Sequence, residues 1–200
     1  MSSQNVSVEQ CFAWQGAIWD LDGTLLDSLA YWNRLGADYL ATKGILAPDD
    51  LQAVLDTMEL REGVRYLKER FHLTDDSDTV FSELKARIRH VYTDDATFFP
   101  GALAFLQKQY DAGVKLALFT SAEGEAAQAS LERNGALQLF SCIVSASDLD
   151  LDKSKPEAFL YVLERLGTEL EHTVVYEDSE YAIQGAKLTG MTVIIKPQFT

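Results

Sequence analysis

Cysteine is scarce in this chain, with two in 200 residues, Cys11 and Cys142. One stands in the N-terminal lead and the other beside an apolar run, and neither belongs to a metal-ligand spacing. A disulfide framework and a thiolate metal centre are therefore excluded, and a reducing, cytoplasmic setting is expected. Positive charge is short as well: 17 Lys and Arg face 31 Asp and Glu, for a formal net charge of −14. Phosphate backbones are held by clusters of Lys and Arg, so no nucleic-acid partner is expected. Such acidity usually serves solubility. It stays compatible with a small anionic substrate when local cations or a metal offset the field. Met1 to Gln10 have neither a cationic start nor an apolar core, which argues against a signal peptide or membrane anchor there. Residues 1–12 read as a loose tail, and no membrane partner is expected. Internal repeats and low-complexity stretches are absent too.

With 47% hydrophobic residues, the chain can build one compact core, or one domain carrying a small insertion. Its most informative stretch is Ala17-Ile18-Trp19-Asp20-Leu21-Asp22-Gly23-Thr24-Leu25-Leu26. Two carboxylates lie two residues apart, after a short apolar segment and before a glycine turn. This is the layout of a strand that delivers acidic side chains to the carboxyl edge of a sheet, where open α/β sheets bind ligands. One carboxylate can attack while the other handles protons. A calcium loop beginning at Asp20 would need glycine at its sixth position and glutamate at its twelfth, but Leu25 and Tyr31 stand there, which excludes an EF-hand. Alone, the string would read as a solvated turn.

After Leu26 the pattern turns helical and stays so to about Asp95. Leu29, Trp32, Leu35, Gly36, Tyr39 and Leu40 share one helical face, which Gly44 ends. Pro48 opens a second helix through Leu55; Val64, Leu67 and Phe71 mark a third; Val80, Leu84, Ile88 and Val91 mark a fourth. Residues 27–95 thus read as an inserted, all-helical module of about four antiparallel helices. Past Pro100-Gly101 helix and strand alternate. Strands are expected at Lys115–Phe119, Cys142–Val144, Thr173–Tyr176 and Thr192–Ile195, with helices to about Ala112 and over Glu123–Asn134, Pro156–Leu166 and Ser179–Thr189. That alternation predicts an α/β fold, a Rossmann-like parallel sheet with helices on both faces, built from residues 13–26 and 96–200.

Three further segments fall at strand ends of this scheme. Thr120-Ser121 offers hydroxyls and backbone amides at a strand-to-helix turn, which can hold a phosphate oxygen or simply cap the helix. Lys153 stands just before a helix started by Pro156, where a lysine can balance a buried carboxylate and a phosphoryl group or lie on the surface. The acidic run Asp148 to Asp152 reads as a solvated loop. Glu177-Asp178 closes the next strand, and carboxylates from adjacent strand ends can share a hard divalent cation such as Mg²⁺. Glu177 can equally serve the helix N-terminus that follows.

In order, Asp20-Leu21-Asp22-Gly23-Thr24, Thr120, Lys153 and Glu177-Asp178 resemble the four motifs of the haloacid dehalogenase superfamily, over about Gly16 to Ile195. Val174 to Ile183 and Gly190-Met191 resemble the branch of β-phosphoglucomutase and small sugar phosphatases, in which a helical cap domain sits between the first two motifs. The resemblance implies that Asp20 is the nucleophile, forming an aspartyl phosphate, and that Asp22 serves as acid and then base. It implies Mg²⁺ held by Asp20, the Asp22 carbonyl and Asp178, with Glu177 ligating or steadying it. Thr120 and the amides near Gly23 and Ser121 would grip the phosphoryl oxygens, while Lys153 orients Asp20 and offsets its charge. Asp22 favours a phosphatase or phosphomutase, because dehalogenases lack the second aspartate.

The match departs from the family at several points. Asp152-Lys153-Ser154-Lys155-Pro156 replaces the usual surroundings of the third motif; register selects Lys153 but leaves Lys155 open. Trp32 stands where many sugar-phosphate members carry a histidine that the mutases use, and it fits either cap core or a pocket wall. Arg61 and Glu62, in the cap segment Met58 to Gly63, can contact the distal part of a substrate or be surface charges. The expected activity is Mg²⁺-dependent hydrolysis of a small phosphorylated metabolite, a sugar phosphate above all, by a monomer or small homo-oligomer. The alternatives are a phosphosugar mutase, marked by isomerisation without phosphate release, and a non-catalytic regulatory protein that binds phosphate and metal.

Overall fold

The computed structural model describes residues 12–55, 58, 60–195, 197 and 199. Most of the expected N-terminal tail, Cys11 and Glu59 of the Met58 to Gly63 segment lie outside them. Phe12, the last residue of that tail, packs its ring 5.3 Å from Phe105. The chain divides into two compact units, one running to Asp27 and resuming at Ala96, the other spanning Ser28–Asp95.

The first unit is built on five parallel strands: β1 (Gly16–Trp19), β2 (Lys115–Thr120), β3 (Phe140–Ser145), β4 (Thr173–Glu177) and β5 (Thr192–Ile195), in the order β3-β2-β1-β4-β5. Buried parallel strands read as continuous apolar runs, as in Leu116 to Phe119 and Val174 to Tyr176. The register pairs Ile18 with Ala117 and Val175 on one face. There they meet α8 (Pro156–Leu166) and α9 (Glu180–Thr189) in a core that includes Phe119, Phe159, Val162 and Ala186. On the other face Trp19 and Tyr176 stack at 3.7 Å. The Trp19 Nε1–H donates to Gln109 Oε1, and Gln109 Nε2 donates to the Tyr176 hydroxyl. Gln109 belongs to α6 (Ala102–Asp111), so helices cover both faces. The remaining helix of this unit, α7 (Gly124–Arg133), packs by β3. Strands β2 and β4 each run one residue further than the periodicity predicts, which puts Thr120 and Glu177 inside the ladder.

The second unit is helical. It contains α1 (Leu29–Trp32), α2 (Leu35–Thr42), α3 (Leu51–Leu55), α4 (Leu60–Phe71) and α5 (Ser77–His90), around a core of Tyr39, Leu40, Leu51, Val64, Leu67, Val80 and Leu84. The single helix expected from Leu29 to Leu40 is corrected to two. Arg34 leaves the helical region at φ −120°, ψ −5°, and its N–H turns to the Tyr31 carbonyl three residues back. Leu29 is consequently exposed rather than on a shared buried face. Gly44, at φ +74°, ends α2 in the left-handed region. The end of α5 also differs from the expected regular helix. A π-helical turn over Val91–Asp95 widens the spiral, and both Val91 and Tyr92 are buried.

Candidate active site

Asp20 follows β1 directly. Its N–H donates to the Tyr176 carbonyl at 3.0 Å, extending the β1–β4 pairing by one residue and fixing the carboxylate at the carboxyl edge. Only 7% of Asp20 is exposed. Lys153, 3% exposed, places Nζ at 2.7 Å from Asp20 Oδ1, 2.7 Å from Glu177 Oε2 and 3.2 Å from the Phe119 carbonyl. An ammonium has three donors, and here each has an acceptor. These acceptors come from the ends of β2, β1 and β4, so one cation ties three neighbouring strand ends together.

Glu177 is 1% exposed. While Oε2 faces Lys153, Oε1 accepts from the Asp178 and Ser179 amides and the Ser179 hydroxyl at 3.0–3.2 Å. Glu177 thus links Lys153 to the start of α9, the helix N-terminus use read from the sequence. Asp178 follows, with Thr24 Oγ1 at 3.5 Å from its Oδ1. Carboxylate oxygens of Asp20, Glu177 and Asp178 lie within 4.8 Å of one another. Asp20 Oδ2 is buried without a hydrogen-bond partner.

The electrostatics follow from this packing. Burial pushes the Asp20 carboxyl up to about 8, against the lowering pull of Lys153, with Glu177 and Asp22 adding repulsion. Burial also works against the Lys153 charge, but Asp20 and Glu177 outweigh it and hold the ammonium above its ordinary range. Three carboxyl groups converge here beside one ammonium, an excess of acids over cations. A hard dication with oxygen ligands fits both that excess and the unpartnered Asp20 oxygen.

The surrounding loops hold the other expected residues. Gly23, at φ +78°, shapes the turn after Asp22. Its amide, expected to face a phosphoryl group, is instead spent on the Leu26 carbonyl at 2.9 Å. The positive φ of Gly23 lets this tight turn close on that hydrogen bond. Thr120 is fully buried and its Oγ1 accepts the Ala122 N–H at 3.0 Å, the capping arrangement, which leaves the hydroxyl proton able to donate. Ser121 is exposed, with its hydroxyl 3.3 Å from that of Tyr181. The Ser145 hydroxyl donates to the Ala122 carbonyl, and Asp148 Oδ2 accepts the Gly124 N–H, so the acidic run contributes a clamp on this loop.

Lys155 is exposed at the start of α8, whereas Asp152 closes a turn through the Ser154 amide that directs Lys153 inward. Trp32, Arg61 and Glu62 belong to the helical unit. Trp32 meets Tyr92 at 5.4 Å and, with Leu35, Leu55, Leu60 and Leu67, lines a largely apolar cavity of about 230 Å³ within that unit. Arg61 lies over the Phe81 ring at 4.2 Å, and Glu62 Oε1 is 3.9 Å from Arg65.

Sequence reading missed Gly185. A Cβ there would fall 2.1 Å from the Lys153 carbonyl oxygen and 2.8 Å from the Ser154 carbonyl carbon, both backbone atoms. The only signal was a glycine inside a helical pattern, which often marks close backbone approach. In an open helix Gly→Ala would stabilise by about 1 kcal/mol. Here Gly185→Ala is expected to destabilise by about 1–3 kcal/mol through overpacking, read as a lower melting temperature.

A parallel sheet that gathers acids and a buried lysine at its carboxyl edge defines a Rossmann-like α/β protein with its site at the strand ends. The sequence model of the haloacid dehalogenase-like hydrolases matches residues 17–196, and the chain belongs to that family. It is 27% identical over 177 residues to the phosphorylated carbohydrates phosphatase of Thermotoga maritima, covering 88% of this chain and 82% of that one. It is 26% identical over 184 residues to the fructose-1-phosphate phosphatase YqaB of Escherichia coli, covering 90% and 94%. The crystal structure of a candidate β-phosphoglucomutase from Thermotoga maritima superposes with a TM-score of 0.80 at 27% identity, over 90% of this chain and 83% of that one.

Proposed function

We propose that the protein is a Mg²⁺-dependent phosphatase of small phosphorylated metabolites, sugar phosphates foremost, acting through an aspartyl phosphate on Asp20. The observation that carries this reading is the Asp20 carboxylate, with one oxygen held by Lys153 and the other buried and unpartnered. In the first step an Asp20 oxygen bonds to phosphorus, the bond to the leaving oxygen breaks, and Asp22 supplies that oxygen with its proton. In the second, water attacks phosphorus, Asp22 takes its proton, and inorganic phosphate leaves Asp20. Lys153, kept protonated by its two carboxylates, neutralises charge on the phosphoryl group. The Thr120 hydroxyl and the Ser121 segment hold phosphoryl oxygens.

Asp20 and Asp178, with the Asp22 carbonyl, would hold the Mg²⁺ and Glu177 would steady them. The ion supplies charge neutralisation for phosphoryl transfer. The inserted unit Ser28–Asp95 takes the part of a cap domain, with Trp32, Arg61 and Glu62 as its contributions to substrate choice. Among the described residues no helix is long and apolar enough to cross a membrane. We place the protein in the cytoplasm, as a monomer or small homo-oligomer with no nucleic-acid or membrane partner.

The likeness to a candidate β-phosphoglucomutase favours a mutase as the second reading, and Trp32 in place of the mutases' histidine weighs against it. Phosphate release from sugar phosphates, nucleotides and an aryl phosphate, with Mg²⁺ and with chelator, tests the assignment. Release is expected from a sugar phosphate with Mg²⁺ and is expected to disappear with chelator. Isomerised product without release would replace phosphatase by mutase, and metal and phosphate binding with neither reaction would leave a regulatory protein.

A further inference from the structure

The sheet order places β1 between β2 and β4. Ser121 follows β2, and Tyr181 lies in the first turn of α9, just beyond the end of β4. The Ser121 Oγ and Tyr181 hydroxyl oxygen are 3.3 Å apart, so this contact bridges from one neighbour of β1 to the other. Lys153 joins the same three strand ends through Phe119, Asp20 and Glu177. The hydroxyl pair is therefore a second bridge of the same span, formed by uncharged groups that solvent can reach. Tyr181 is 51% exposed and Ser121 is also exposed. Neither side chain is placed by burial, so the bridge is not a by-product of core packing.

Both ends of the bridge are anchored. Glu177 fixes the start of α9 by accepting the Asp178 and Ser179 amides. On the other side, Thr120 Oγ1 holds the Ala122 amide, and Ser145 holds the Ala122 carbonyl. Ser121 lies between these fixed points, and beyond its own loop its side chain meets, among the described residues, the Tyr181 hydroxyl. We infer that Tyr181 is a positioning residue that acts through Ser121, joining the loop after β2 to the start of α9 and holding the Ser121 segment where a phosphoryl group binds. This rests on the reading of the Ser121 segment as part of the phosphoryl site. Because the phosphoryl group is common to every ester, Tyr181 governs affinity for phosphate and not the choice of leaving group.

The test compares Tyr181→Phe, Ser121→Ala and the double variant in the full chain. Calorimetry measures affinity for inorganic phosphate with Mg²⁺, and kcat/KM is measured on a sugar phosphate and an aryl phosphate. Tyr181→Phe removes one oxygen from an exposed ring, so its melting temperature is expected to match the parent. Phosphate affinity is expected to fall about fivefold, the usual weight of one neutral hydrogen bond, with kcat/KM falling by a similar factor on both esters. In the Ser121→Ala background the same change is expected to have no further effect. Unchanged phosphate affinity in Tyr181→Phe, or an undiminished effect when Ser121 is already alanine, would overturn the inference. A loss confined to one ester would also overturn it, since that would make Tyr181 a contact of the leaving group. If the parent itself neither binds phosphate nor releases it, the phosphatase assignment fails instead, and calorimetry separates that outcome from the others.

Discussion

In Asp20→Asn, phosphate release is expected to fall by about 10⁴-fold or more, while thermal melting stays level or rises slightly. The amide nearly matches the carboxylate in shape and keeps an oxygen for Lys153, but it has no anionic oxygen to bond to phosphorus. Stability survives because the native site already disfavours charge on Asp20. Burial pushes its carboxyl up to about 8 despite Lys153. Lys153 also keeps Glu177 and the Phe119 carbonyl as partners. Single-turnover phosphate release beside a melting curve checks both halves. Substantial turnover would remove Asp20 from the nucleophile's role. A collapsed melting transition would show that its carboxylate is chiefly structural.

Lys153→Met is expected to damage both fold and chemistry. Removing the ammonium leaves Asp20 and Glu177 buried without their common cation, and breaking a buried pair from one side typically costs about 3–5 kcal/mol. Turnover is expected to drop by about 100-fold or more, as when one preorganised electrostatic donor is lost. The sign of the pH response is also fixed. Without Lys153 nothing offsets the burial that raises the Asp20 carboxyl, which then gains a proton more readily in the folded state than in the unfolded one, so the stability deficit shrinks as pH falls. Lys155→Met, at an exposed position, is expected to stay within about 0.5 kcal/mol of the parent and to keep its activity. Denaturant titrations at two pH values and steady-state rates for both variants check this. If the two lysines exchange behaviour, Lys155 is the one that serves the reaction.

Much of this molecule is legible without coordinates because its signals are local. Apolar runs of three or four residues separated by helical periodicity specify parallel strands with covering helices, as from Leu116 through Ile195. Acids and hydroxyls fall at the strand ends, and Asp20, Thr120 and Glu177-Asp178 stand out there once the four motifs are taken together in order. Helical periodicity from Leu29 to Val91 marks the inserted unit. Its break at Arg34 and its π-helical end are not legible, because a change of a few backbone angles leaves hydrophobic spacing almost unaltered.

By itself the sequence determined the alternation of elements, the order of the four motifs and the kinds of groups at each strand end, since these depend on residue type and separation along the chain. Tertiary structure decided which groups meet. Lys153 rather than Lys155 reaches Asp20 because the Asp152 turn aims it inward and Gly185 lets α9 close on its backbone. The Gly23 amide is consumed by its own turn. Tyr181, an unremarked residue of a helical first turn, meets Ser121 only because the sheet sets β2 and β4 on either side of β1. Contacts of this kind depend on strand order and on the closeness of helix to loop, and both are set by packing between segments that are distant along the chain.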